Sequence, residues 1–305
     1  MKTMRYTLMC GFLLVLAAGC APTSLTPLAP TPTINPEFLQ ATPFSGSITL
    51  DILKNAEYQA KNGMKMIKLT NGSYQEGSGT DFVSVSMEDI YALGDLNADG
   101  VEDGAVVLAE NYGGTGQFEY LVPVFNNGGG IIPSSGFFLG DRVKVNSMSI
   151  NAGTIILDML VHAPNDGMCC PSQGMTQSFR FFWGSGLVMT HATSGSGTAF
   201  REIKIELPTT GSEVTRQIHI KGIVSIAPFE NTLKVRMVDL NFGGPVYEGS
   251  ISVTAADIGA PGSFDVVIDL TDNPATIGTL HIEIIDVSMA DGSTIALDSV
   301  DVTVR

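Results

Sequence analysis

Asp95, Asn97, Asp99 and Asp103 sit in "GDLNADGVEDGAVVLAEN", residues 94–111, at positions one, three, five and nine of a loop with Gly100 at six. Alternate residues of a tight loop turn their oxygens toward one centre, and calcium takes six to eight oxygens at about 2.3–2.6 Å. The carbonyl of Val101, at position seven, would be a further donor. Position twelve is Val106, so the bidentate glutamate of a helix–loop–helix sensor is missing. The apolar run "GAVVLAE" that follows reads as a strand, which puts the loop at a strand entrance. Two readings stand side by side: bound calcium with a structural role, or a turn in which Asp and Asn cap their own backbone. Neither implies catalysis.

The second stretch with chemical potential is "VHAPNDGMCCPSQ", residues 161–173. Consecutive Cα atoms lie about 3.8 Å apart across a trans peptide, short of the usual 4.4–6.8 Å of a disulfide. A Cys169–Cys170 bond is therefore expected to need a distorted or cis peptide, and Pro171 favours a fixed turn there. Cys169, Cys170, Met168 and His162 together would also suit copper(I). A bridge to another chain is the third possibility.

Elsewhere the expected signatures of catalysis are missing. There is no nucleophile elbow, no HExxH, no phosphate loop ending in Lys and no dinucleotide fingerprint. "GGTGQ" (113–117) lacks the lysine and lies between strands. His162, His191, His219 and His281 show no ligand spacing. The expectation is a non-enzymatic binding or scaffolding module whose partner is an envelope protein or glycan. The alternative is an envelope hydrolase, or a redox or metal-handling protein, built on the 162–170 loop. A deep pocket with convergent polar groups near that loop would favour the alternative. A flatter exposed patch would favour the module.

These residues must be carried by something, and the start of the chain says where. Lys2 and Arg5 precede a short apolar run, Leu8 to Ala18, which ends in "LAAGC". The layout is that of an export signal over residues 1–19, too short for a spanning helix. It resembles a bacterial lipoprotein cleavage box, with the departure that Ala17 stands where that family prefers Leu. The resemblance implies cleavage before Cys20 and lipid on its thiol, so that the membrane becomes a partner and the chain is held outside the cytoplasmic membrane or at the cell surface. An ordinary export signal cut nearby would release a free protein instead. Residues 20–44 form a Pro/Thr-rich tether with prolines at 22, 27, 30, 32, 36 and 43, suited to extended polyproline II. With 16 Lys+Arg against 31 Asp+Glu and a net charge of −15, the surface repels phosphates, so no nucleic acid partner is expected.

The remainder reads as mainly β, a mixed α+β antiparallel-sheet domain followed by an immunoglobulin-like β-sandwich. The first domain spans 45–190. It begins with a short helix expected over 50–59 ("LDILKNAEYQ") and continues through "MKMIKLT", "GAVVLAE", "FEYLVPVF", "DRVKVNSMSI", "TIILDMLVH" and "SFRFFWG". A Gly/Ser/Thr stretch at 191–202 reads as a linker. From 203 to 305, seven short alternating runs (203–207, 218–224, 233–240, 250–253, 264–270, 280–287, 298–304) match the arithmetic of an immunoglobulin-like sandwich without its cysteines and tryptophan.

Several of these residues carry a resemblance. "IKIELPTTGSEVTRQIHIKGIVSIAPFENTLKVRMVD", "GSFDVVIDL" and "GTLHIEIIDVSMADGS" resemble the immunoglobulin-like domain found beside bacterial spore-germination proteins and in envelope lipoproteins. The matching positions include Pro208, Gly211, Gly222, Phe229, Glu230, Gly262, Phe264, Gly278, Asp291 and Gly292. This implies fold and an exported location, and brings no catalytic residues. Residues 45–190 vaguely resemble domains of uncharacterised prokaryotic lipoproteins, and the 95–103 loop is similar to the calcium loops of dockerins and integrin-type propeller repeats.

Overall fold

The computed structural model describes residues 46–305 apart from 62, 129, 197–198, 241–242 and 274–277. The signal, Cys20 and the tether lie outside the described residues. Strands make up 61 % of the described residues and helix 4 %.

The first part contains helix α1 (Leu50–Lys54), β1 (Glu57–Ala60), β2 (Lys65–Lys68), β3 (Ser73–Glu76), β4 (Val83–Gly94), β5 (Asp103–Asn111), β6 (Phe118–Asn126), β7 (Ile131–Pro133) and β8 (Phe137–Asp141). There follow β9 (Lys144–Asn151), β10 (Thr154–Val161), β11 (Gln173–Phe182), β12 (Gly186–Ser196) and β13 (Ala199–Arg201). The last part holds β14 (Ile203–Leu207), β15 (Glu213–Val214), β16 (Gln217–Val224), β17 (Thr232–Asp239), β18 (Gly244–Ser252), β19 (Thr254–Ala255), β20 (Gly262–Asp269), β21 (Gly278–Val287) and β22 (Thr294–Val304).

The expected helix over 50–59 is only half that length. Thr49 caps its start by accepting from Ile52 N, and Asn55 ends it by donating to the Asp51 carbonyl at 2.8 Å. Beyond it Tyr58 and Ala60 alternate inward as β1. Leu53 and Tyr58 are fully buried, and the Tyr58 hydroxyl donates to the Leu53 carbonyl at 2.9 Å. Helix and hairpin thereby cover one face of the six-stranded sheet β3-β4-β5-β6-β7, with β8 also on β6. The other face packs Val107 and Leu121 against Leu157, Met159 and Phe179 of the β9–β12 sheet. With both faces covered, β5 and β6 are buried almost end to end, which explains their unbroken apolar runs.

In the last part, sheet β14-β16-β20-β19 faces β18-β17-β21-β22. That strand order is the immunoglobulin-like sandwich of two antiparallel sheets. "QIHIKGIV" alternates exposed and buried at every residue, so Ile218 and Ile220 meet Val235, Met237, Ile282 and Ile284 in the core. Each such side chain contributes about 1.5–3 kcal/mol on burial. Gly222 is required by close approach, since a Cβ there would lie 2.3 Å from the Lys204 carbonyl oxygen and 2.4 Å from the Phe264 ring.

The two parts share a sheet. β22 pairs with β21 along its length and, on its other edge, meets β12 through His191↔Asp298 and Ala192↔Leu297. The segment 191–202, expected as a linker, is instead the end of β12 and the short partner strand β13. Its small residues read as a loop, but Ala192 and Ser194 are buried in the β11–β12 ladder. At Gly195 a Cβ would fall 2.2 Å from the Ala199 carbonyl oxygen, so the tight return excludes side chains.

Candidate functional site

The 95–103 loop closes on itself. Asp95 Oδ1 accepts from Asn97 N and Ala98 N at 3.2 and 2.7 Å, and Oδ2 from Gly100 N at 2.9 Å. Asn97 Oδ1 accepts from Asp99 N at 2.9 Å, its Nδ2 donates to Asp99 Oδ2, and Asp99 Oδ1 accepts from Val101 N at 2.8 Å. Gly100 has φ +83°, the left-handed conformation that glycine takes without strain. Asp103 points elsewhere. It is fully buried, and its two oxygens accept from Leu96 N at 3.0 Å and Asn126 N at 2.9 Å, tying the loop to the end of β6. Burial pushes its carboxyl above the usual range, against the two N–H donors, and Asp99 and Asp95 add repulsion.

Among the described residues no three His, Cys, Asp or Glu side chains are grouped to hold a metal. Asp95, Asp99 and Asp103 thus do not form a preassembled site. A cation here would draw on four residues, Asp95, Asn97, Asp99 and the Val101 carbonyl, with bidentate carboxylates or water completing calcium's usual six to eight oxygens.

The 162–170 loop borders a cavity of about 530 Å³. Its lining includes Phe137, Leu139 and Asp141 of β8, with Val143 and Val161. Met175 and Gln177 of β11, Met189 of β12, His162, Met168 and residues 291–294 complete the lining. Phe137 is held edge-on against Phe179, centroids 4.9 Å apart. Asp166 staples the loop by accepting from Ala163 N, Ser172 N and Ser172 Oγ at 2.8–2.9 Å. The Ala163 N–H in particular holds its carboxyl below the usual range.

Cys169 and Cys170 are joined to each other in the 162–170 loop. Their Cα atoms are 3.8 Å apart, the ordinary trans spacing, and the cis bond among the described residues is Leu207–Pro208. Of the distorted or cis peptide that was expected, the cis form is therefore not used. With the sulfurs bonded together no thiolate faces His162 or Met168, so the copper(I) set is not assembled.

Two polar atoms of the cavity residues stand out. His162 Nε2 lies 3.1 Å from the Asp141 carbonyl, which can only accept, so Nε2 carries a proton. Its Nδ1 is shielded from solvent and has no partner. Gln177 is 5 % exposed; its Nε2 donates to Met175 Sδ at 3.1 Å while Oε1 is buried without a partner. Asp141, by contrast, is satisfied: it pairs with Arg142 at 2.8 Å, accepts from Gln117 N, and is held below the usual carboxylate range by Arg142.

Sequence reasoning passed over Gln177, although a polar residue between inward-facing Met175 and Phe179 was the available signal. It also passed over Glu119 on β6, 4 % exposed, whose Oε1 accepts from Gln117 Nε2 at 2.8 Å and whose Oε2 has no partner. Burial pushes the Glu119 carboxyl up to about 7, and repulsion from Glu88 adds to this.

The fold is that of a mainly β protein ending in an immunoglobulin-like sandwich. Residues 202–293 match the family model described as the immunoglobulin-like domain of bacterial spore germination. That segment contains β14 to β21, the strands whose residues carry the resemblance seen in the sequence. Neither the curated proteins nor the solved structures gave a match.

Proposed function

We propose that the chain is a lipid-anchored, non-enzymatic module that binds or scaffolds a partner in the bacterial envelope. The observation that carries this reading is the immunoglobulin-like sandwich over β14–β22 with its family match at 202–293. Such a sandwich buries its alternate residues for packing and leaves its outer faces for contact. Here β16 and β20 turn Ile223 and Val267 outward, 44 % and 58 % exposed, beside the His219–Asp265 pair at 2.7 Å. A second cavity of about 550 Å³ lies at the edge of that sheet against Glu202, Lys204 and Thr254. This is the face we assign to an envelope protein or glycan. The exported location is supported by the basic start and apolar run, and the anchor by "LAAGC" followed by the proline-rich tether. Membrane fractionation tests it. The unaltered chain should sediment with membranes and enter the detergent phase, and Cys20→Ser should abolish both. Equal membrane fractions for the two would overturn the anchor.

Calcium enters this reading as a weak structural ligand of Asp95, Asn97, Asp99 and the Val101 carbonyl, adding to a turn already closed by its own hydrogen bonds. Extracellular modules bind calcium in the range of about 10⁻⁴–10⁻³ M, which suits so sparse a donor set.

A further inference from the structure

We propose that the Cys169–Cys170 pair is a two-electron exchange site, which trades its bond with an external dithiol and opens and recloses without disturbing the fold. This goes beyond the envelope-module reading and does not depend on it.

The first observation is that the bond has no structural task. A disulfide stabilises chiefly by closing a loop of the unfolded chain, and the effect grows with the length of that loop. Here the sequence separation is 1, so no loop of the chain is closed. Nor does the bond hold the segment around it. Asp166 accepts from Ala163 N, Ser172 N and Ser172 Oγ, and so ties the two ends of the 163–172 turn together. Asp166 N donates to the Ala163 carbonyl and Cys170 N to the Gly167 carbonyl, each at 2.9 Å. None of these hydrogen bonds uses a sulfur.

Accessibility is the second observation. Met168, Cys169 and Cys170 are all exposed, and neither cysteine belongs to a buried core. Exchange begins when a thiolate reaches one sulfur of the bond, and an exposed pair admits it from solvent. The other cysteines of the sequence are Cys10 and Cys20, so among the described residues no third thiol is present to reshuffle with the pair. The electrons come from outside.

The exchange balances between the pair and its partner. One thiolate of the dithiol attacks a sulfur, which forms a mixed disulfide and releases the neighbouring cysteine as a thiolate. The second thiolate of the dithiol then attacks the mixed disulfide and frees the remaining cysteine. Two electrons pass to the protein, two protons move from the dithiol to Cys169 and Cys170, and the dithiol leaves as a disulfide. A monothiol is a poorer partner. The released thiolate sits on the adjacent residue and reverses the first step before a second molecule arrives.

Peptide mapping after alkylation of the full chain in native buffer tests the assignment. The probes are dithiothreitol, reduced thioredoxin and 2-mercaptoethanol at equal thiol concentration. At least one dithiol should place labels on Cys169 and Cys170 at least tenfold faster than the monothiol, and the faster dithiol tells a small-molecule partner from a protein one. Dithiothreitol should open the pair in the folded chain within tenfold of its rate in denaturant. The reduced chain, and the double variant Cys169→Ala with Cys170→Ala, should keep the melting temperature of the bonded chain. The reduced chain gives that readout even where the variant fails to fold. Oxidised dithiothreitol should then restore the bond without forming dimers. Labelling that needs denaturant, a melting temperature that falls on reduction, reoxidation to dimers, or equal rates with dithiol and monothiol would each overturn the proposal.

Discussion

The 95–103 loop and the 162–177 cavity both join strands of the first part, and they use polar groups in opposite ways. In the loop, the side-chain oxygens of Asp95, Asn97, Asp99 and Asp103 all accept hydrogen bonds, nearly all from backbone N–H groups within nine residues. In the cavity, Gln177 Oε1 and His162 Nδ1 are shielded and unmet. A row of acidic residues at regular spacing is conspicuous in a sequence, yet here it is spent on the chain itself. The unsatisfied groups come from residues with no spacing at all.

The largest test of that contrast is Asp103→Ala. It leaves Leu96 N and Asn126 N buried without acceptors, and at about 1–3 kcal/mol each the expected loss is about 4 kcal/mol. A fall in melting temperature of roughly 10 °C should follow for a unit of this size. A loss no greater than that of an exposed turn residue would show that Asp103 does not staple β6 to the loop.

Next comes Glu119, a carboxylate outside both regions with one oxygen, Oε2, unmet. Its folded pKa, about 7, lies above the ordinary value, so the folded state holds a proton that the unfolded state has released. Stability must then fall as pH rises from about 4.5 to about 7 and stay low above it. Glu119→Gln should flatten that part of the profile, gaining up to about 3 kcal/mol at pH 8 and nothing at pH 4. Denaturant unfolding at the two pH values decides, and equal gains at both would refute the assignment.

The smallest effect belongs to Asp99→Ala. Asp99 is exposed and bonds only within its turn, so the change should cost below about 1 kcal/mol. In the unaltered chain, calcium at tenfold excess over Kd should stabilise by about 1.4 kcal/mol, and Asp99→Ala should remove that increment. Melting curves indifferent to calcium and chelator in both proteins would leave the loop a turn alone.

Much of the sandwich was legible because β14, β16 and β20 have one face toward a core and one toward water, which writes period two into the sequence. The first part was harder. β4, "VSVSMEDIYALG", begins with the same alternation, but a register shift between Met87 and Tyr91 breaks it. The 191–202 stretch was misread because residues small enough for a crowded strand pair are also those of a loop. The loop residues Asp95 to Asp103 were visible as a set, whereas the inward turn of Asp103 depends on where the end of β6 arrives. Gln177 and Glu119 could be seen only as polar interruptions; their lack of partners is a property of neighbours distant in the chain.

The pairing of β22 with β12 bears on how this architecture can be reused. Asp298 accepts from Ile205 N at 2.8 Å and lies 3.4 Å from His191, while Ser299 Oγ donates to the Thr190 carbonyl at 2.7 Å. A cassette excised at residue 202 would carry Leu297 and Asp298 on a bare sheet margin, a template for self-association. Recombination at that point would therefore favour recipients that bring their own strand to the seam. The sandwich is portable with a capping strand and sticky without one.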